Sequence, residues 1–193
     1  MRAAVLEGPS DEMAAEALKL APQAKRVDGL DGLLAEELDG IVIATPSALC
    51  AEQSIRALEA GAAVFCQKPL GRTAAEARAV VEAARVADRL LAVDLSYRFT
   101  EGMRRIRGLL DEGALGRIYA VDLVFHNAYG PDKRWFYDPA LSGGGCVMDL
   151  GVHLVDLALW ALDFQRLTPF PQACFQGAHP SVKARSRIMP SPT

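Results

Sequence analysis

The chain has 193 residues, a net charge near −3, 51% hydrophobic residues and 7% aromatics. That balance fits a globular protein of one domain, or one and part of another, and its Lys and Arg residues are too mixed with acids to suggest nucleic acid as a partner. No apolar run is expected to reach membrane-spanning length and no basic-then-apolar leader opens the chain; the four cysteines, Cys50, Cys66, Cys146 and Cys174, form no Cys-x-x-Cys pair, and three histidines are too few for a histidine-rich metal site. The expectation is a cytoplasmic protein with reduced thiols, no metal and no membrane partner.

In chain order, Ala3 to Leu6 predicts a strand closed by Glu7-Gly8-Pro9. Ser10 or Asp11 can cap a helix over 12–20, and Leu30 to Leu38 predicts a short helix. Gly40-Ile41-Val42-Ile43-Ala44 is a β-branched apolar run of the kind found in strands buried on both faces. A helix over 48–60 stops at Gly61, a strand over 62–66 ends at Gln67-Lys68-Pro69, and Thr73 caps a long helix to about Ala87. Leu90 to Leu95 is the next strand. This βαβα order predicts a parallel sheet with right-handed crossovers and helices on both faces.

After Phe99 the rhythm changes. A helix is predicted over 101–111, then a longer strand over 117–126, where apolar and polar residues alternate. An aromatic and Pro-containing loop from Asn127 to Ser142 leads into Gly143-Gly144-Gly145 and an apolar helix over 147–162. Residues 164–193 contain no Asp or Glu, hold five prolines and show no periodicity, which predicts an irregular tail. The expected units are 1–98, 99–163 and the tail 164–193.

Asp149 and His153, four residues apart on a helix, share a face. A carboxylate there can orient the imidazole and set its proton affinity; equally, Asp149 serves the helix dipole and His153 fills a half-buried slot. In a doubly wound sheet ligands sit outside the carboxyl ends of the strands, so Lys68, before Pro69 at a strand end, can point into a ligand crevice or stand as a solvated turn lysine.

Together these pieces resemble the Gfo/Idh/MocA oxidoreductases (glucose-fructose oxidoreductase and inositol dehydrogenase-like). Ile43-Ala44-Thr45-Pro46 is similar to a strand end of that family. Ala57-Leu58-Glu59-Ala60-Gly61 followed by Gln67-Lys68-Pro69-Leu70 is similar to its AL-x-AG … EKPL signature. Tyr97-Arg98-Phe99 resembles its linker, Leu115-Gly116-Arg117-Ile118 the start of its second domain, and Gly143 to His153 its GGG-x3-D-x-G-x-H signature. The resemblance implies a partial Rossmann doubly wound parallel sheet followed by the start of a second α+β domain. It also implies NAD(P)-dependent hydride transfer to or from a hydroxyl of a sugar, polyol or related compound.

Carried over, the resemblance makes Lys68 the lysine near nicotinamide and the reacting hydroxyl, Asp149 the residue that holds substrate and orients the histidine, and His153 the general acid/base. It places Ala44, Thr45, Pro46, Gln67, Lys68 and Arg98 on the cofactor side. Glu7 stands where an acid binds the adenosine ribose and favours NAD over NADP, or is simply a turn acid before Gly-Pro. Asn127, Arg134, Trp135 and Tyr137 are expected on the substrate side, where aromatics stack on a sugar and Arg134 meets a phosphate or carboxylate, unless the loop merely packs onto the domain.

Gln67 replaces the family glutamate and Cys50 its histidine, departures that favour the alternative of a non-catalytic nucleotide- or sugar-phosphate-binding member. The chain also lacks any Gly-x-Gly-x-x-Gly, as if it began at the family's second strand. That strand order would leave two unpaired edges facing a gap and no pyrophosphate cradle, so weak NAD(H) binding and poor activity are expected. The family implies a homo-oligomer for the full-length enzyme, whereas the sheet it generally dimerises through is missing here.

Overall fold

The computed structural model describes residues 4–6, 11–126, 130 and 133–163. The first half alternates β1 (Ala4–Leu6), α1 (Asp11–Leu20), β2 (Lys25–Val27), α2 (Gly29–Leu34), β3 (Gly40–Ile43), α3 (Ser47–Glu59), β4 (Ala63–Gln67), α4 (Ala74–Ala87) and β5 (Leu91–Asp94). Among the described residues every strand pairing is parallel. β1 pairs with β2 in one sheet and β3-β4-β5 form a second, so among the described residues β1 and β3 are not hydrogen-bonded to each other. β2 has no counterpart in the sequence reading. It begins with Lys25-Arg26, both exposed, and only Val27 is buried, so no apolar run announces it.

The core lies on one face of the larger sheet. Ile41, Ile43, Val64 and Cys66 point at Cys50, Ala51, Ala57 and Leu58 of α3 and at Val80 and Ala84 of α4. On the opposite face Val42 is 69% and Phe65 42% exposed. The expectation that this run is buried on both faces is therefore corrected: burial alternates along β3. The reason is topological, because right-handed crossovers that advance in one direction across a sheet, β3 to β4 to β5, put their helices on the same side.

The start of α4 follows the sequence closely. Thr73 accepts a hydrogen bond from the Glu76 backbone N–H at 3.1 Å, and the Glu76 carboxylate reaches back to the Arg72 N–H at 2.7 Å. Asp88, with φ of 51°, closes the other end in the left-handed conformation. A 3-10 turn (Ser96–Phe99) leads into α5 (Glu101–Asp111).

The strand expected over 117–126 is absent. The segment pairs with no described strand, and Tyr119 is 95% and Val124 68% exposed. Alternation fits a strand only where a ladder partner satisfies the backbone, and the described residues offer none. A 3-10 turn (Arg134–Tyr137) and α6 (Pro139–Ser142) follow. The last helix departs from expectation too: Val147–Gly151 form a π turn that continues into α7 (Val152–Ala161).

The segment Pro139–Ala161 is long and apolar enough to cross a membrane by length and composition, which corrects the expectation that no such run exists. Its Asp149 and Asp156 are nevertheless ion-paired to Lys68 and Arg98 of the first half. The irregular tail expected over 164–193 lies outside the described residues.

Candidate active site

β4 ends at Gln67, and Lys68 follows, joined to Pro69 by a cis peptide. Lys68 Nζ donates to the Asp149 carboxylate at 2.6 Å and to the Asp149 carbonyl at 2.6 Å. Their side chains are 17% and 25% exposed, so Lys68 is no solvated turn lysine. Asp149 sits inside the π turn, a helical irregularity that recurs at functional sites.

One turn on, His153 is 5% exposed. Its ring stacks on Tyr97, with centroids 4.1 Å apart and planes 10° from parallel. Its Nδ1 is buried without a hydrogen-bond partner. Burial above all, then the Lys68 charge, holds its proton affinity below the ordinary histidine value, against the pull of Asp94, Asp149 and Asp156. The shared face expected for Asp149 and His153 does not produce a bond between them; Asp149 Oδ1 accepts from Lys68 instead.

Gln67 Nε2 donates to Asp94 Oδ2, at the end of β5, at 2.7 Å. A glutamate at 67 would set two carboxylates together and force one to hold a proton; the amide avoids that conflict. Cys50 lies beneath the β3 end, its thiol on the Thr45 and Pro46 carbonyls at 3.6 and 3.7 Å. The neighbouring Cys66 sulfur and burial push the Cys50 thiol up, while Cys50 holds the Cys66 thiol down.

Several contacts seat α6 and the last helix on the segments that precede them. Arg98 donates through both Nε and Nη2 to Asp156, and Arg107 Nη1 donates to the Trp160 carbonyl at 2.9 Å. Arg72 Nη1 donates to the Ala140 carbonyl at 3.0 Å. Gly143, with φ of +78°, lies so close to Arg72 that a Cβ would fall 2.5 Å from Arg72 Cγ. The result is a cleft of about 320 Å³ at the carboxyl ends of β3 and β4.

Of the residues expected there, Ala44, Thr45, Gln67, Lys68, Asp149 and Trp135 line the cleft. Pro46 caps α3 instead, and Arg98 is committed to Asp156. Arg134 and Tyr137 are exposed, while Trp135 and Phe136 stack together 3.8 Å apart and face inward. In a 3-10 turn residues three apart share one face, so a loop reading could not separate Arg134 and Tyr137 from Trp135 and Phe136. Lys133, Phe136 and Met148 also line the cleft, and no motif in the sequence marks them. Glu7 and Asn127 lie outside the described residues.

Parallel βαβ units with a cleft at the strand carboxyl ends define a Rossmann-type nucleotide-binding unit. The profile of the oxidoreductase family with an NAD-binding Rossmann fold matches residues 4–95, and that of the GFO/IDH/MocA C-terminal domain matches 103–170. The chain belongs to the Gfo/Idh/MocA oxidoreductase family.

Among curated relatives, D-glucoside 3-dehydrogenase of Escherichia coli is 32% identical over 75% of this chain and 41% of its own length. Inositol 2-dehydrogenase of Rhodococcus erythropolis is 34% identical over 84% of this chain and 45% of its own. An NAD-binding protein from Listeria innocua superposes with a TM-score of 0.75 at 30% identity, covering 83% of this chain and 47% of that one. Levoglucosan dehydrogenase in complex with NADH and levoglucosan gives a TM-score of 0.71 at 28% identity, covering 83% and 44%. The chain thus spans less than half the length of these relatives.

Proposed function

We propose that the protein is the catalytic portion of an NAD(P)-dependent dehydrogenase that exchanges hydride with a hydroxyl-bearing carbon of a sugar or polyol. The observation that carries this reading is the Lys68–Asp149 pair at the cleft wall, with His153 one turn behind it. Ala44, Thr45, Gln67 and Lys68 would hold the nicotinamide end of the cofactor, which supplies the hydride acceptor when bound. Relatives include dehydrogenases in complex with NADH and one named for NADP(+), and Glu7 tilts the choice only slightly toward NAD.

Oxidation of an alcohol removes a hydride from carbon and a proton from oxygen, and the protein must take the proton. Lys68 donates a hydrogen bond to the oxygen as it becomes a carbonyl. Asp149 holds the ammonium at the cleft. His153, one turn behind the pair and neutral in the resting site, is the proton acceptor in this reading. Trp135 and Phe136 offer flat apolar surface to a sugar ring.

The test is hydride transfer from a panel of sugars and polyols to NAD and NADP, with the protein and with its Lys68→Met and His153→Asn variants. Loss of about 10²- to 10⁴-fold in the His153→Asn variant is expected. Turnover that survives both substitutions rejects the assignment. Nicotinamide binding without turnover by the unsubstituted protein supports instead the second reading, a non-catalytic binding member, which Gln67 and Cys50 favour.

A further inference from the structure

A histidine that handles protons ordinarily has its ring fixed by a hydrogen bond at the nitrogen away from the substrate. Here no described carboxylate does so. Three carboxylates act on His153 through their charge, and each accepts from another donor: Asp94 from Gln67, Asp149 from Lys68 and Asp156 from the Arg98 guanidinium. His153 Nδ1 is left buried with no partner.

What does contact the ring is an aromatic column. Phe125 stacks on Tyr97 with centroids 6.0 Å apart and planes 13° from parallel, and Tyr97 stacks on His153 at 4.1 Å and 10°. The column runs inward from the surface. Phe125 is 37% exposed, Tyr97 is half-buried and His153 is 5% exposed. Three separate stretches meet in it: the segment before Asn127, the turn after β5, and α7. Near-parallel rings at these separations attract and exclude water from the faces they share. Arg98, the residue after Tyr97, clamps Asp156, three residues after His153, so the backbone on both sides of the Tyr97–His153 contact is fixed.

We propose that Tyr97, backed by Phe125, is the positioning residue of His153, fixing the imidazole plane by stacking where no carboxylate bonds it. This rests on the reading of His153 as the proton-handling group. The segment 117–126 thereby acquires a role: it delivers Phe125 to the outer end of the column.

The test is read on the chain itself, without cofactor or turnover, from the histidine ring resonances across a pH titration. Those of His153 are identified by their loss in the His153→Asn variant. In the unsubstituted chain they are displaced upfield by the Tyr97 ring, with a midpoint below the ordinary 6.5. Tyr97→Phe keeps both features. Tyr97→Leu loses the upfield displacement, and the midpoint climbs toward 6.5 as water reaches the uncovered ring. Phe125→Leu gives a smaller change of the same sign.

His153 resonances unmoved by Tyr97→Leu overturn the proposal. So does a midpoint that falls, because the tyrosine face would then have been stabilising the imidazolium. An unmoved spectrum in Phe125→Leu removes Phe125 from the column. If Tyr97→Leu does not fold, Tyr97→Trp decides: the larger ring deepens the displacement when stacked and leaves it unchanged when not. Failure of the underlying function would look different, as undiminished hydride transfer in His153→Asn while the unsubstituted chain keeps the displaced His153 resonances.

Discussion

At Asp156 a carboxylate only 8% exposed is held by both Nε and Nη2 of Arg98, whose guanidinium is pushed up by that hydrogen bond. Removing one partner of such a pair leaves a charge with neither water nor counter-ion. Arg98→Met is expected to destabilise the fold by about 3–5 kcal/mol, read from urea denaturation, and an added Asp156→Leu to recover most of the loss. The resemblance marked Arg98 as a cofactor-side residue, and sequence offered nothing to say that its partner lies 58 positions away. Lys68 was legible only through the resemblance, since by itself a lysine before proline at a strand end fits a solvated turn equally well. Tyr97, Lys133 and Phe136 were not, because their importance comes from contacts between distant segments.

Elements were readable where their signals were local. The Thr73 cap, the end of α4 at Ala87 and the apolar runs of β3 and β4 all stand in the sequence and in the structure. Thr73→Ala is expected to cost about 1 kcal/mol by removing the acceptor for the Glu76 N–H, measured as a lowered denaturation midpoint. β2 was missed because two of its three residues are charged. The segment 117–126 was misread because alternation reports a half-exposed surface and says nothing of a ladder partner. The π turn at Val147–Gly151 has no periodic signature distinct from the α-helix it interrupts.

For the molecule as a whole, the order of strands and helices in the first half was legible, while which sheet face is covered was not, since that depends on the direction of the crossovers. Folding moves His153 from water to a buried site that disfavours its charged form, so its folded proton affinity lies below the unfolded value of 6.5. The unfolded chain therefore binds more protons, and this contribution to stability, complete above that value, is lost as pH falls through it. Glu76 and Glu82, held low by Arg72 and Arg85, act only further down, below 4.5. A urea midpoint that drops between about pH 7.5 and about pH 5.5, and drops less in His153→Asn, is the expected outcome. The glycine triplet also bears on which sequences the fold can accept. A side chain at Gly143 meets both a left-handed backbone and the body of Arg72; at Gly144 it meets the flexible Met148 chain; at Gly145 it meets open space. Three identical letters thus differ in their freedom to vary: random substitution would purge the first, bend to admit the second and pass over the third.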